Sequence, residues 1–407
     1  MKNAFLFAVF IIVCLPGFPA YADLVHTVQK GDTLEGIAEK YLPYTASYTR
    51  KELVTDIREM NDIESDIISI GQRLNIPVLW DTQLSPKSIG QEKTFPSKGV
   101  YVNKWSAGSR KILLIADRLN IYGANTIVFD AKDVMGGLSH KSEVPHSFSP
   151  AARYVAPIED IHKMIEYLHR MKIHVVARVC VFRDLLMADS MHHWCIQPGW
   201  LNPADPEVQD YILSVIRELI HLGVDEIQLD YFRYPADGLT STTDANKTRV
   251  DVIAGFLKTI HDLTSSSNVL LSLDIFAIVI WKQDDDILRV GQDINAMMPN
   301  LDIISPMLYP SHFNFDFAGV ANPADRPYLF VSRGVQRLKE MVGDEVIIRP
   351  WLQAFPLRVK TGFDPAFIQT QIVAAQDSGA IGWLLWSPGN HYQDSYTAME
   401  KLLMIER

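Results

Sequence analysis

Four aspartates close short β-branched runs along the chain. Asp130 and Asp133 end NTIVFDAKD, Asp230 lies in DEIQLDYFRYP, and Asp274 lies in VLLSLDIFA. Strand side chains alternate between faces with a period of two, so Gln228 shares a face with Asp230 and Ser272 shares one with Asp274. Both carboxylates are therefore expected to emerge on the same side of neighbouring strands. Other polar and aromatic groups fall at equivalent ends: Arg178, Tyr231, Arg233, Tyr309, His312, Trp351, Gln353, Trp386 and Asn390. Two carboxylates among flat apolar rings suit cleavage of a glycosidic bond. One acid protonates the leaving oxygen, the other attacks carbon or activates water, and the rings support sugar faces.

Other chemistries find little support. No glycine-rich phosphate loop follows any of these runs, and no histidine pair has the HExxH spacing, so neither cofactor nor metal is expected. The doublet His192-His193 reads as a solvated loop pair. Hydrolysis of an acyl group would need a metal triad or an activated serine, and the sequence offers neither pattern. A formal charge of −10 argues against nucleic acid or anionic lipid as partner, because that attraction needs clustered Lys and Arg.

The elements that must position these groups begin at Lys98. Eight short runs follow one another: KGVYVN, NTIVFDAKD, HVVARVCVF, DEIQLDYFRYP, VLLSLDIFA, LDIISPMLYPSH, VIIRPWLQAF and GWLLWSPGN. Between them lie amphipathic helical stretches such as 109–121, 158–171, 207–222, 249–263 and 367–378. Such alternation predicts βα units on a parallel sheet, and eight units predict a closed (β/α)8 barrel over 98–407. In such barrels chemistry sits at the carboxyl ends of the strands, where the polar residues fall here, while the strand middles read as Val, Ile and Leu.

The first 97 residues divide differently. Lys2, an apolar run from Ala4 to Cys14, a Pro16-Gly17 break and Ala20-Tyr21-Ala22 have the order of a cleavable secretory signal over 1–22. The apolar core is shorter than the roughly 20 residues that span a bilayer, so no stable membrane insertion is expected after cleavage. Residues 23–79 read as strand, helix, helix, strand: HTVQKGDTL, a helix with apolar Leu34, Ile37, Ala38 and Tyr41, a second helix over 51–60, and a returning strand at Arg73–Pro77. Residues 80–97, with two prolines and no sustained period, read as a linker. Two cysteines remain after the signal, Cys180 and Cys195, and pairing or two free thiols are both open.

Two resemblances add to this reading. VQKGDTLEGIA together with IREMNDIESDIISIGQRLNIPV resembles a LysM domain. That implies binding of N-acetylglucosamine-containing glycans in a groove formed by Gly31, Asp32, Thr33 and Leu34 on one side and Asn61, Ile63 and Ile68 on the other. The stretch 42–53 is longer than the usual connection between the two LysM helices. The eight runs, with WLNPADPEVQDY and a following MGG, resemble the TIM-barrel glycoside hydrolase domains of secreted bacterial proteins. That resemblance implies Asp230 as nucleophile or base and Asp274 as proton donor, with Asp130 and Asp133 as supporting or rival acids. Arg178, Arg233, Tyr309 or Gln353 would orient them and the sugar hydroxyls. The expected partner is peptidoglycan or another envelope polysaccharide, and the expected location is periplasmic or at the cell envelope. A glycan-binding scaffold with a silent barrel is the competing expectation.

Overall fold

The computed structural model describes residues 22–90, 92–236, 248–281, 284–317, 319–359 and 362–406. Except for Ala22, the signal expected at 1–22 lies outside these residues. The chain divides into two compact units, Met1–Leu84 and Ser85–Arg407.

In the small unit, β1 (Ala22–Thr27) pairs antiparallel with β2 (Arg73–Val78), in a register running from Ala22↔Val78 to Thr27↔Arg73. Between them lie α1 (Leu34–Tyr41) and α2 (Arg50–Met60), giving the βααβ order. Thr33 and Thr49 start the two helices from extended backbone, accepting the N–H of Gly36 at 3.0 Å and of Glu52 at 3.2 Å, which satisfies donors that the first turn leaves unpaired. Leu34, Ile37, Leu53, Ile57, Leu74 and Ile76 close a core. The long connection between the helices packs back on this unit: Thr45 bridges Val78, and the Tyr44 carbonyl accepts the N–H of Leu79.

The large unit is a closed barrel of eight parallel strands. They are β3 (Lys98–Val102), β4 (Thr126–Lys132), β5 (His174–Cys180), β6 (Glu226–Asp230), β7 (Leu270–Ile275), β8 (Ile303–Leu308), β9 (Ile347–Ile348 and Trp351–Gln353) and β10 (Trp383–Trp386). Pairing runs in chain order and closes where β10 meets β3. Strand β9 is interrupted at Arg349-Pro350, where proline brings no N–H to the ladder. Outside lie α3 (Lys111–Ile121), α4 (Ile161–Arg170), α5 (Pro206–His221), α6 (Arg249–Ser266), α7 (Pro327–Val342), α8 (Pro365–Asp377) and α9 (Gln393–Glu406).

The barrel interior is not uniformly apolar. Val128, Val176, Trp351 and Leu384 pack in its middle with Tyr101 and Tyr309. Nearer the amino ends of the strands, buried Glu226 accepts from Arg349 Nη1 at 3.0 Å and pairs with His174 Nε2 at 3.0 Å; Arg349 Nη2 and the Ser272 hydroxyl also reach it. Burial raises the Glu226 carboxyl, but the charge of Arg349 and the His174 bond prevail and hold it at about 2. Part of the stretch expected as a linker belongs to this end of the barrel. The Ile89 N–H donates to Asp225 Oδ1 at 2.7 Å, and Phe95 packs on the His174 ring at 5.7 Å.

Candidate active site

Inward-facing positions at the carboxyl ends of the strands converge on one cluster. Arg178, from β5, is its hub. Its Nη1 donates to Asp130 Oδ1 at 2.5 Å, and its Nη2 and Nε donate to Asp230 Oδ2 at 2.5 and 3.1 Å. Asp230 Oδ1 accepts the N–H of Tyr231 at 2.6 Å. Tyr231 has φ 51°, a left-handed conformation that bulky residues rarely adopt, and this turn folds the backbone back onto the carboxylate.

Asp274, from β7, sits in a different environment. The β6–β7 register pairs Gln228 with Ser272 and Leu229 with Leu273, so Asp230 and Asp274 follow as neighbours on strands about 4.8 Å apart. Asp274 Oδ1 accepts the indole N–H of Trp351 at 2.8 Å. Burial, then the negative charge of Asp230, push its carboxyl well above the usual carboxylate range, against the pull of Arg178 and the Trp351 bond. One carboxylate is thus bound by N–H donors and a guanidinium. The other has its carboxyl raised by its enclosure and by its charged neighbour, and unequal settings of this kind can give two acids different roles.

The remaining residues expected here separate into those that face the cluster and those that support it. Asp130 is filled on both oxygens, by Arg178 and by the Tyr101 hydroxyl, and burial raises its carboxyl. Tyr309 is buried, with its hydroxyl pushed up by burial and by Asp274 and Asp230. Trp386 is partly exposed; it stacks on Tyr101 at 3.9 Å and lies 5.0 Å from the Arg178 guanidinium. Tyr231 and Arg233 form part of the rim, the Arg233 guanidinium lying 5.0, 5.6 and 5.1 Å from the rings of Trp200, Tyr231 and Phe276. His312 is exposed beside Tyr309 and Phe355.

Four expectations change. Trp351 is fully buried, so its ring offers no open face, and its indole N–H is taken by Asp274. Gln353 is also fully buried, and its amide is occupied by Ser311 N–H and by the carbonyls of Phe355 and Leu357. Asn390, at φ 54°, clasps β10 to β3 through Tyr101 O and Asn103 N–H. Asp133 pairs with Lys104 at 2.9 Å and borders a cleft beside the cluster instead of joining it. Tyr101 was missed, although the alternation in KGVYVN sets it on the inward face with Gly99.

Volume and chemistry do not coincide in this barrel. Asp230 and Asp274 are 6% and 2% exposed, and neither borders the cleft of about 1160 Å3 at the ends of β3–β5. The paired carboxylates lie in the cluster and not in the cleft. Cys180 and Cys195 are both free thiols. Among the described residues no group of His, Cys, Asp and Glu has the arrangement of a metal site.

On the small unit, Asp32 braces its turn by accepting from Gln29 N–H at 2.7 Å and pairing with His26 at 2.9 Å; those bonds hold its carboxyl below the usual range. Gly31 supplies φ +95° there. Two carried-over groove residues serve the unit's own fold. Leu34 is fully buried, and the Asn61 side chain bonds Ile57 O and both backbone groups of Asn75. Ile63 and Ile68 pack partly against the core, whereas Ile67 and Ile70, not singled out from sequence, are 81% and 72% exposed on the same loop.

Residues 99–392 match a family model described as "Putative glycosyl hydrolase domain", and residues 26–77 match the LysM domain. The fold is similar to the glycoside hydrolase domain of PgaB (BpsB) from Bordetella bronchiseptica, at 14% identity and TM-score 0.57, covering 75% of this chain and 98% of that one. It is also similar to the endo-1,4-beta-D-mannanase from Thermotoga petrophila RKU-1, at 11% identity and TM-score 0.50, covering 76% and 100%. No curated protein matches the chain.

Proposed function

Because the chain belongs to the glycosyl hydrolase family matched over residues 99–392, with a LysM domain before it, we propose that it hydrolyses glycosidic bonds in peptidoglycan or another N-acetylated envelope polysaccharide outside the cytoplasm. The observation that carries this reading is the unequal setting of two neighbouring acids. Asp230 is held by Arg178 and the Tyr231 N–H, and Asp274 is enclosed beside it under the Trp351 indole. Asp274 gives its proton to the leaving oxygen. Asp230 attacks the anomeric carbon, or removes a proton from the attacking water. Neighbouring strands favour the roughly 5–5.5 Å carboxyl separation of a retaining mechanism over the wider inverting one. In the retaining course Asp230 forms a glycosyl ester, which water hydrolyses with Asp274 as base. Arg178 orients Asp230, and Trp386 and Tyr231 face the sugar.

The LysM unit supplies the address. A chain held on an N-acetylated polymer meets nearby bonds at a raised effective concentration, without any new catalytic contact. The signal-like start of the sequence supports export, and among the described residues no helix is long and apolar enough to cross a membrane.

A scaffold reading, with a silent barrel, draws on the enclosure of Asp230 and Asp274. Assays of Asp230→Asn and Asp274→Asn on peptidoglycan and amino-sugar polymers separate the two. The hydrolase reading expects losses of about 10²–10⁴-fold, the usual share of acid–base groups. Equal turnover by both variants and wild type would sink it.

A further inference from the structure

Three of the strand ends that feed the acid cluster also open onto a second feature. Lys104 and Trp105 follow Tyr101 of β3, Asp133 and Met135 follow Asp130 of β4, and the segment from Leu185 to Gly199 follows β5; together they line the cleft of about 1160 Å3. Its walls are firmly built. The N–H groups of Leu185 and Leu186 donate to the carbonyls of Val134 and Met135 at 3.2 and 3.1 Å, tying the two loops together. Gly136 has φ +87°, and a Cβ there would lie 1.9 Å from Asp184 Oδ1. At Gly137 a Cβ would lie 2.5 Å from Tyr154 Cβ. Only glycine allows this close approach, so the cleft is a preformed cavity rather than a gap between loose loops.

Its lining combines exposed apolar groups with charged ones. Trp105, Met135, Val155 and Ile196 are 60%, 55%, 61% and 40% exposed. Beside Trp105, Lys104 pairs with Asp133 at 2.9 Å, and its ammonium lies 5.8 Å from the indole centroid. A sugar ring has the matching surface, an apolar C–H face edged by hydroxyls, and an exposed indole is a common platform for it. An acyl chain would instead need a continuous apolar trough, which the Lys104–Asp133 pair interrupts. The volume exceeds the roughly 300–1,000 Å3 of an ordinary small-molecule pocket, so it has room for more than one ring.

We propose that this cleft binds several linked sugars of an N-acetylated polysaccharide chain, with Trp105 as platform. The inference rests on the glycoside hydrolase reading for its substrate class, and it can fail separately from that reading.

The test uses the full chain as wild type, Trp105→Ala and Ile196→Arg, with Leu114→Ala as control. Leu114 is 66% exposed on α3 and lies outside the cleft lining. Each protein is titrated with chitohexaose by calorimetry, and each is assayed for the lengths of fragments released from a soluble N-acetylated amino-sugar polymer. Binding by the LysM domain is common to all four proteins, so differences between isotherms report the barrel. The expected result is that wild type and Leu114→Ala show a second class of sites. Trp105→Ala and Ile196→Arg should weaken it about tenfold or more, and wild type should cut the polymer. Isotherms of Trp105→Ala and Ile196→Arg that overlay wild type would overturn the cleft, even if wild type cuts the polymer. A lost second site in a protein that cuts nothing would leave the cleft standing and overturn the hydrolase reading.

Discussion

At the residue scale, the proposed mechanism needs a protonated Asp274 beside an Asp230 that Arg178 holds. Trp351→Phe removes one hydrogen bond to Asp274, worth about 1 kcal/mol, so activity should fall about fivefold. That N–H favours the ionised form, so its loss should also move the alkaline limb of the kcat profile to higher pH. A simple packing defect would lower activity without moving the limb. Asp274 also bears on stability. Its carboxyl is raised in the folded protein, so its contribution is fully favourable below the unfolded value of about 3.9 and is lost as pH rises through the folded value. Asp274→Asn should therefore melt at or above the wild-type temperature at pH 7, with the difference closing toward pH 4. A melting temperature well below wild type at pH 7 would count against that assignment. The acids could be read from sequence because alternation fixes which strand residues share a face. Burial could not: Trp351 and Gln353 fall at strand ends like Trp386, but only the structure shows the loop after β9 folding over Gln353.

At the element scale, the strands were legible because each combines β-branched residues with a helical stretch before the next. The interior cluster was not, because Glu226 and His174 lie on separate strands and Arg349 in the break of a third, and no local pattern links them. Removing one partner of such a buried pair leaves the other charge uncompensated, so Glu226→Gln should cost about 3–5 kcal/mol in urea unfolding. The pH dependence has a defined sign. Glu226 sits at about 2 in the folded barrel, below the unfolded value of about 4.3, so its contribution of about 3 kcal/mol is complete above that value and is lost as pH falls from about 4.3 through 2. Glu226→Gln should flatten the acid limb of stability. An unchanged limb would contradict the assigned role of the cluster. The linker expectation failed for part of 80–97 because a stretch without periodicity can still bond a surface, as Ile89 does to Asp225.

At the scale of the whole molecule, two units with separate cores divide the work proposed here into holding and cutting. Deleting residues 23–79 should reduce activity on insoluble wall by about 10²-fold or more, the range of tethering effects, while sparing soluble oligosaccharides. Equal loss on both substrates, in a variant whose circular dichroism shows a folded barrel, would mean that the LysM unit takes part in catalysis. The order of the units was legible from their motifs. The cleft at β3–β5 was not, because its lining comes from loops that only the closed barrel brings together. The most direct test of the central claim is mass analysis of products after the full chain is incubated with peptidoglycan and defined N-acetylated glycans, beside Asp230→Asn and Asp274→Asn. New reducing ends, each with the mass of one added water, are expected in wild type, and their loss is expected in both variants. Intact glycans with wild type, or the same fragments from all three proteins, would contradict that claim.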